Sequence, residues 1–315
     1  MKISRKKFLF RTLKLALGSF LFLPLLKLGE TKAKKIDITG TGPDPTQWKN
    51  DEINISWIGH STILMNLYGT IIVTDPVLFE KIGLDIFGIT IGQTRYSVPA
   101  LEIDKFPCPD LILLSHAHFD HMDYKTLSSF AAMYPGKINC LTAFNTSDVI
   151  ADLKWKSLEE LDWNEEYFLN DVKFSAIEVK HFGWRYPFER DRSRGYFKNG
   201  RSFNAYLIEK KGRKVLFGGD TAMTNKFIPY SGIDIAIMPI GAYNPWKSNH
   251  CNPEEALNMA ANDLKAKVFI PIHCCTFRLG LEPVDEPLKW LENSVKNYKI
   301  DLGLTKIGET FTLKT

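Results

Sequence analysis

Short apolar runs that each end on a histidine or an aspartate constrain this chain more than any other feature. T-I-I-V-T at 70–74 ends on Asp75, and D-L-I-L-L-S at 110–115 runs into His116. S-A-I-E-V-K at 175–180 leads to His181, V-L-F-G-G at 215–219 to Asp220, and V-F-I-P-I at 268–272 to His273. Apolar runs of this length, bounded by turn residues, read as buried strands. Polar side chains collected at strand ends are where a layered α/β fold builds a site.

The chain holds seven histidines in 315 residues. Three fall within six positions, in Ser115-His116-Ala117-His118-Phe119-Asp120-His121. A regular helix would not bring 116, 118 and 121 to one face. A loop just past a strand can place all of these side chains around a shared ligand. Nitrogen and carboxylate donors without thiolates suit zinc, and also manganese or iron. A first-row ion needs more donors than this loop supplies, and His181, Asp220 and His273 are the candidates at other strand ends. Taken singly, each is equally a satisfied polar residue; taken with 116–121, they point to a metal pair.

The same patterns predict strands at 53–57, 62–67, 70–74, 110–115, 138–141, 166–169, 172–180, 202–209, 213–217, 234–239 and 266–272. GETFTLK near the C-terminus reads as a final edge strand. Helices are predicted at 124–133 with Asp123 as N-cap, at 253–263 behind Asn252, and at 284–298. Residues 77–109 read as loop. There is no Gly-rich phosphate loop, and Gly218-Gly219 is not a dinucleotide fingerprint.

Composition is ordinary for a globular chain, with 44% apolar and 24% charged residues. The N-terminus differs in kind. Residues 1–28 carry seven basic side chains and no acid, around the uncharged run LALGSFLFLPLL at 15–26. That run is short for a transmembrane helix, which needs about 20 apolar residues, and suits an export signal. S-R-K-K-F-L at 4–9 resembles a twin-arginine signal with Lys6 in the second arginine's place. The expected organisation is therefore an export signal or membrane anchor at 1–28, a linker at 29–50 and one metal-binding domain at 51–315. The expected location is exported or anchored on the extracytoplasmic (periplasmic) face, with a membrane surface as partner. With the seven N-terminal charges set aside, 33 basic side chains face 36 acidic ones, which argues against nucleic acid. Five cysteines make no disulfide framework and read as small buried apolar side chains.

The H-x-H-x-D-H run, together with His181, G-D-T at 219–221 and His273, resembles the metallo-β-lactamase superfamily. Its fold is an α/β four-layer αββα sandwich. Within it, roughly residues 53–310 are similar to the phospholipases D that hydrolyse N-acyl-phosphatidylethanolamine. The likeness runs through W-I-G-H-S-T at 57–62, T-D-P at 74–76, R-Y-S at 95–97, L-L-S-H-A-H-F-D-H-M-D-Y at 113–124 and L-D-W at 161–163. It continues through P-I-G-A-Y at 239–243, H-C-N-P-E-E-A at 250–256 and I-H-C-C-T-F at 272–277. The resemblance implies that His116, His118 and His181 hold one Zn2+. Asp120, His121 and His273 would hold a second, with Asp220 bridging. His250 would lie near substrate, and Asp75 would orient a ligating imidazole. His60 reads either as a buried hydrogen-bonded histidine on the floor of the site or as a substrate contact.

A metal pair would activate water at neutral pH and hold the phosphoryl oxygens of a phospholipid or other phosphodiester. Asp120 is the expected proton acceptor, and His250 the expected hydrogen-bond donor to a phosphoryl oxygen or to the leaving alkoxide. The segment 182–203 is rich in arginine and aromatic residues. It supplies Trp184 and Arg185 as expected substrate contacts, with Tyr243 beside them. The same centre could serve a lactonase or cyclic-ester hydrolase. A non-catalytic metal-binding surface protein is the reading from another class.

Overall fold

The computed structural model describes residues 42–86, 89–193 and 198–314. Two seven-stranded sheets and a separate hairpin carry the strands. The chain enters through β1 (Ile53–Gly59), β2 (Thr62–Leu67) and β3 (Thr70–Thr74), an antiparallel meander. β4 (Lys81–Ile86) and β5 (Ile89–Thr94) then pair as the hairpin. β6 (Leu111–Leu113), β7 (Asn139–Ala143) and β8 (Ser157–Leu161) extend the first sheet in parallel from β3.

The second sheet is built from β9 (Glu166–Leu169), β10 (Val172–Glu178), β11 (Asn204–Lys210) and β12 (Arg213–Phe217), followed by β13 (Ile235–Pro239), β14 (Val268–Ile272) and β15 (Asp301–Leu302). β16 (Thr310–Leu313) returns to the first sheet and pairs antiparallel with β1 at its edge. The helices are α1 (Tyr124–Met133), α2 (Pro253–Asn258) and α3 (Glu286–Ser294). This is the αββα arrangement of the metallo-β-lactamase fold.

Side-chain parity explains the layering. Successive strand residues point to opposite faces. In the first sheet Ile53, Ile55, Trp57, Ile63, Met65, Ile72, Leu111, Leu113 and Leu141 face inward. There they join Phe174, Tyr206 and Phe217 of the second sheet in one core between the sheets. The alternate residues Leu64, Val73, Ile112 and Cys140 form a second core with Leu127 and Phe130 of α1. Both faces of β6 are thus buried, which is why its sequence shows little alternation. Asp123 caps α1 by accepting from Thr126 N at 3.0 Å. Asn252 caps α2 in a reciprocal capping box with Glu255. The predicted 253–263 helix changes to a π-helical turn at Met259–Asp263.

The hairpin β4–β5, the strand β8 and the two-residue strand β15 escaped the sequence. The hairpin β4–β5 lies in the predicted 77–109 loop. Gly83 and Gly92 face each other there, and a Cβ on Gly83 would meet Ile91 O at 2.2 Å. Glycine inside a strand removes the side-chain signal that marks one. β8 is an edge strand holding Glu159 and Glu160, and the carboxylate of Glu160 accepts from the backbone N of Asn145, Thr146 and Ser147. All five cysteines are free; four are buried as expected, and Cys108 is exposed.

The membrane expectation is corrected. Among the described residues no helix is long and apolar enough to cross a membrane. The longest described α-helix is α1, with ten residues. At 1.5 Å per residue it spans about half of a roughly 30 Å hydrocarbon layer. The membrane-surface partner and the exported or anchored location are therefore not carried further. Residues 1–28, on which the signal reading rests, lie outside the described residues. Of the expected 29–50 linker, residues 42–50 are described; they include a 3-10 turn at Pro45–Gln47, and Trp48 packs on the outer core.

Candidate metal centre

The site lies where the strand ends of both sheets meet. His60 sits in the turn from β1 to β2, Asp75 follows β3, and the 116–121 loop follows β6. His181 follows β10, Asp220 follows β12, and His273 follows β14. The sheets are tied here: Asn204 N, at the start of β11, donates to Ser115 O at 2.9 Å. His60, Asp75 and His273 have φ of 50°, 35° and 60°, a region L-residues with bulky side chains rarely adopt. Gly219 has φ of 56° and lies so close to Ser115 that a Cβ would meet Ser115 Cβ at 2.7 Å.

Two donor groups form. His116 Nε2 lies 2.8 Å from His118 Nδ1, which lies 3.2 Å from His181 Nε2. On the other side, Asp120 Oδ2 stands 3.1 Å from His60 Nε2, 3.4 Å from His121 Nε2 and 3.3 Å from His273 Nε2. Asp220 Oδ2 sits between the groups. It is 3.0 Å from His273 Nε2, 3.1 Å from His121 Nε2, 3.8 Å from His181 Nε2 and 3.7 Å from His250 Nδ1. Ligands about 2.0–2.1 Å from a tetrahedral ion are separated by roughly 3.3 Å, so these spacings suit metal coordination.

The second ring nitrogens of His121, His116 and His181 are held from behind. Asp75 accepts from His121 Nδ1 at 2.6 Å, from Ser115 N at 2.7 Å and from Ser115 Oγ at 2.6 Å. Ser115 Oγ lies 2.8 Å from His116 Nδ1, and Asn249 O accepts from His181 Nδ1 at 3.0 Å. Such outer contacts set the tautomer and orientation of a ligating imidazole.

The electrostatics call for positive charge. Burial, with neighbouring imidazoles, holds His60, His181 and His250 near 3, lowers His118 to about 4 and puts His116 well below its ordinary range. Burial opposes charge on His121 and His273 too, but the carboxylates of Asp220 and Asp120 together outweigh it, joined at His121 by that of Asp75. His121 is raised well above its ordinary range, and His273 to about 9. Asp120 and Asp220 resist burial in the same way and stay well below the carboxylate range beside His121 and His273. Protons on two imidazoles thus stand where cations would balance two buried carboxylates. Buried His118 Nε2, His250 Nδ1, His273 Nδ1 and Asp220 Oδ1 have no hydrogen-bond partner. An abundance of neutral imidazole and orphaned donor atoms fits one or two divalent ions.

A cavity of about 830 Å³ opens from His118, Asp120, His181, Asp220 and His250. Trp163, Phe182, Trp184, Phe203 and Trp246 line it, with Lys180, Lys226, Arg192 and Glu178. Trp184, expected to contact substrate, is among the cavity's lining residues. Arg185 does not line the cavity; its guanidinium donates to Ala117 O and Met122 O behind the histidine loop. Tyr243 is also elsewhere, donating to Glu286 Oε1 at 2.6 Å and packing against Trp290. His60 is buried, with its ring 4.4 Å from that of His273. Sequence reasoning missed Ser115, although it adjoins the cluster, and the aromatic wall from Trp163 and Trp246, whose positions carry no local signal.

The family model described as the beta-lactamase superfamily domain matches residues 70–274. The chain belongs to the metallo-β-lactamase superfamily. It is 27% identical to an uncharacterized protein of Mycobacterium tuberculosis, over 78% of this chain and 66% of that protein. The match thus spans slightly under two thirds of that relative's length. It is 29% identical to N-acyl-phosphatidylethanolamine-hydrolyzing phospholipase D 1 of Caenorhabditis elegans, over 79% of this chain and 74% of that protein. Among solved structures it is similar to a possible metal-dependent hydrolase from Veillonella parvula, with a TM-score of 0.62 and 16% identity, covering 83% of this chain and all of that one. That likeness supports the superfamily fold alone.

Proposed function

We propose that this superfamily member is a dinuclear zinc-dependent phosphodiester hydrolase of the phospholipase D type, acting on N-acyl-phosphatidylethanolamine or related glycerophospholipids. The observation that carries the reading is Asp220 Oδ2, set within 3.0–3.8 Å of four imidazole nitrogens between two donor groups. The similarity to the nematode phospholipase supports the substrate class.

His116, His118 and His181 would hold one ion, and Asp120, His121 and His273 the other, with Asp220 shared. Bound there, the ions supply Lewis acidity and lower the pKa of water. Asp120, 13% exposed at the cavity floor, accepts a proton at its carboxylate as the attack proceeds. His250 lines the cavity as a neutral imidazole and offers an N–H to a phosphoryl oxygen. The aromatic wall takes the apolar part of the substrate and keeps bulk water from the strand ends. Lys180 lines the same cavity and offers a cation to an anionic diester, while Arg192 and Lys226 there pair with Asp162 and Glu178.

The test is an assay of purified, zinc-loaded protein against N-acyl-phosphatidylethanolamine, other glycerophospholipids, simple phosphodiesters and lactones. Cleavage of the phospholipids at the bond distal to glycerol is expected to dominate. A lactone preferred over every phosphodiester would overturn the proposal. Metal analysis is expected to return about two ions per chain; manganese or iron in place of zinc would revise only the metal.

A further inference from the structure

We propose that Arg185 is a positioning residue that sets the geometry of the metal-ligand loop, rather than a contact for substrate phosphate. The inference rests on the metal reading above and concerns what holds residues 117–122 in place. Arg185 is 7% exposed. Its Nη1 donates to Ala117 O at 2.6 Å and to Met122 O at 2.9 Å. These carbonyls bracket His118, Asp120 and His121. The guanidinium also lies 4.0 Å over the ring of Phe119, between the same ligands.

The loop's other supports hold its two ends and the side chain of His121, which Asp75 accepts from at 2.6 Å. Its start is pinned by Asp75 on Ser115, and its end by the Asp123 cap of α1. Within it, His121 N and Met122 N both turn back to His118 O, at 3.1 and 2.8 Å. One planar cation closes that turn from outside, through two hydrogen bonds and a cation–π contact.

Arg185 is itself held. Its backbone N donates to Glu189 Oε2 at 2.7 Å. Glu189 accepts from Arg201 at 2.9 and 2.8 Å, and Arg201 forks onto Asp148 at 2.6 and 3.0 Å. Since Arg185 follows His181 by four residues, it couples the ligand from the second sheet to the loop from the first. Arginine at this position thus belongs to ion retention and the chemical step, and not to substrate affinity.

The experiment measures zinc retention by the full-length, zinc-loaded chain against a competing chelator, together with kcat and KM. Circular dichroism and Tm check the fold. In Arg185→Gln, retention of one ion is expected to fall about 10–100-fold, as for other residues that support metal ligands, with kcat falling and KM nearly unchanged. Arg185→Lys, which keeps the charge but loses the fork, should recover part of the retention. A raised KM with full zinc retention would assign Arg185 to substrate and overturn the proposal, as would wild-type retention in a folded R185Q chain. If R185Q does not fold, R185K decides: retention below wild type supports the proposal and wild-type retention overturns it. A wild-type chain that holds no zinc removes the metal reading and this inference with it.

Discussion

The two sides of the cavity are built differently. The floor is centred on a stretch of contiguous sequence, 115–121, joined by His60, His181, Asp220, His250 and His273 from other segments, and the loop's side chains are fixed by buried hydrogen bonds from Asp75 and Ser115. The wall comes from distant segments: Trp163 after β8, Phe182 and Trp184 after β10, Trp246 after β13. Its charged residues pair locally, Arg192 with Asp162 and Lys226 with Glu178. The floor is thus over-determined and committed to chemistry. The wall is held by packing and surface ion pairs, the weaker class of contact, and is free to set what is bound.

The largest effect should come from the floor. Asp120→Asn is expected to lower kcat on the order of 10³-fold, with Tm nearly unchanged. Unaltered turnover would break the assignment of chemistry to this side.

Acid is expected to act on the floor as well. In the zinc-free chain, burial keeps His60, His116, His118, His181 and His250 neutral, with those of His60, His118, His181 and His250 at about 3 to 4. The unfolded chain binds protons at these groups from about pH 6.5 downward. Stability should therefore fall as pH drops from about 6.5 toward 4. His121 and His273, raised, stay protonated in the folded chain and oppose this fall only near pH 6.5, where the unfolded chain's imidazoles are about half protonated. Asp75 and Asp123, which burial raises, work in the opposite sense, and Asp120 and Asp220, held well below the carboxylate range, work with the imidazoles near pH 4. Thermal melts of zinc-free protein from pH 4 to 7 measure this; a Tm that rises on acidification would show that the imidazoles are not held neutral.

Removing a support is expected to have a smaller effect than removing a ligand. Asp75→Asn should weaken zinc retention about 10–100-fold, read by chelator competition, because His121 Nδ1 and Ser115 lose their shared acceptor. On the wall, Trp184→Ala should raise KM severalfold, on the order of 1 kcal/mol for a buried aromatic contact, with kcat largely kept. A fall in kcat at constant KM would erase the distinction between floor and wall. The smallest effect is expected at Tyr243→Phe. Its hydroxyl serves Glu286, so the cost is about 0.5–1.5 kcal/mol of stability, with KM unchanged.

Much of the fold could be read from local pattern. The helix at 124–133 and its Asp123 cap agree with the structure residue for residue, as do the strands at 62–67, 70–74, 166–169 and 213–217. The hairpin β4–β5 could not be read because Gly83 and Gly92 interrupt its alternation, nor β8 because an edge strand tolerates glutamate. At the site, Asp75 and the histidine loop were legible because strand ends carry their own polarity. Arg185 and Tyr243 were not, because a side chain's direction depends on what packs against it. Arginine next to an aromatic cluster reads as a phosphate contact until the carbonyls of Ala117 and Met122 are seen in front of it.

The sequence by itself picked out the candidate donors, since imidazole and carboxylate at strand ends are groups that can gather cations, and the strand pattern drew them toward one rim. Tertiary structure alone decided how they are shared. Asp220 stands between two groups, His60 faces Asp120, and Arg185 turns away from the cavity because two sheets bring together segments more than fifty residues apart. Those distances follow from long-range packing, which no local run of residues encodes.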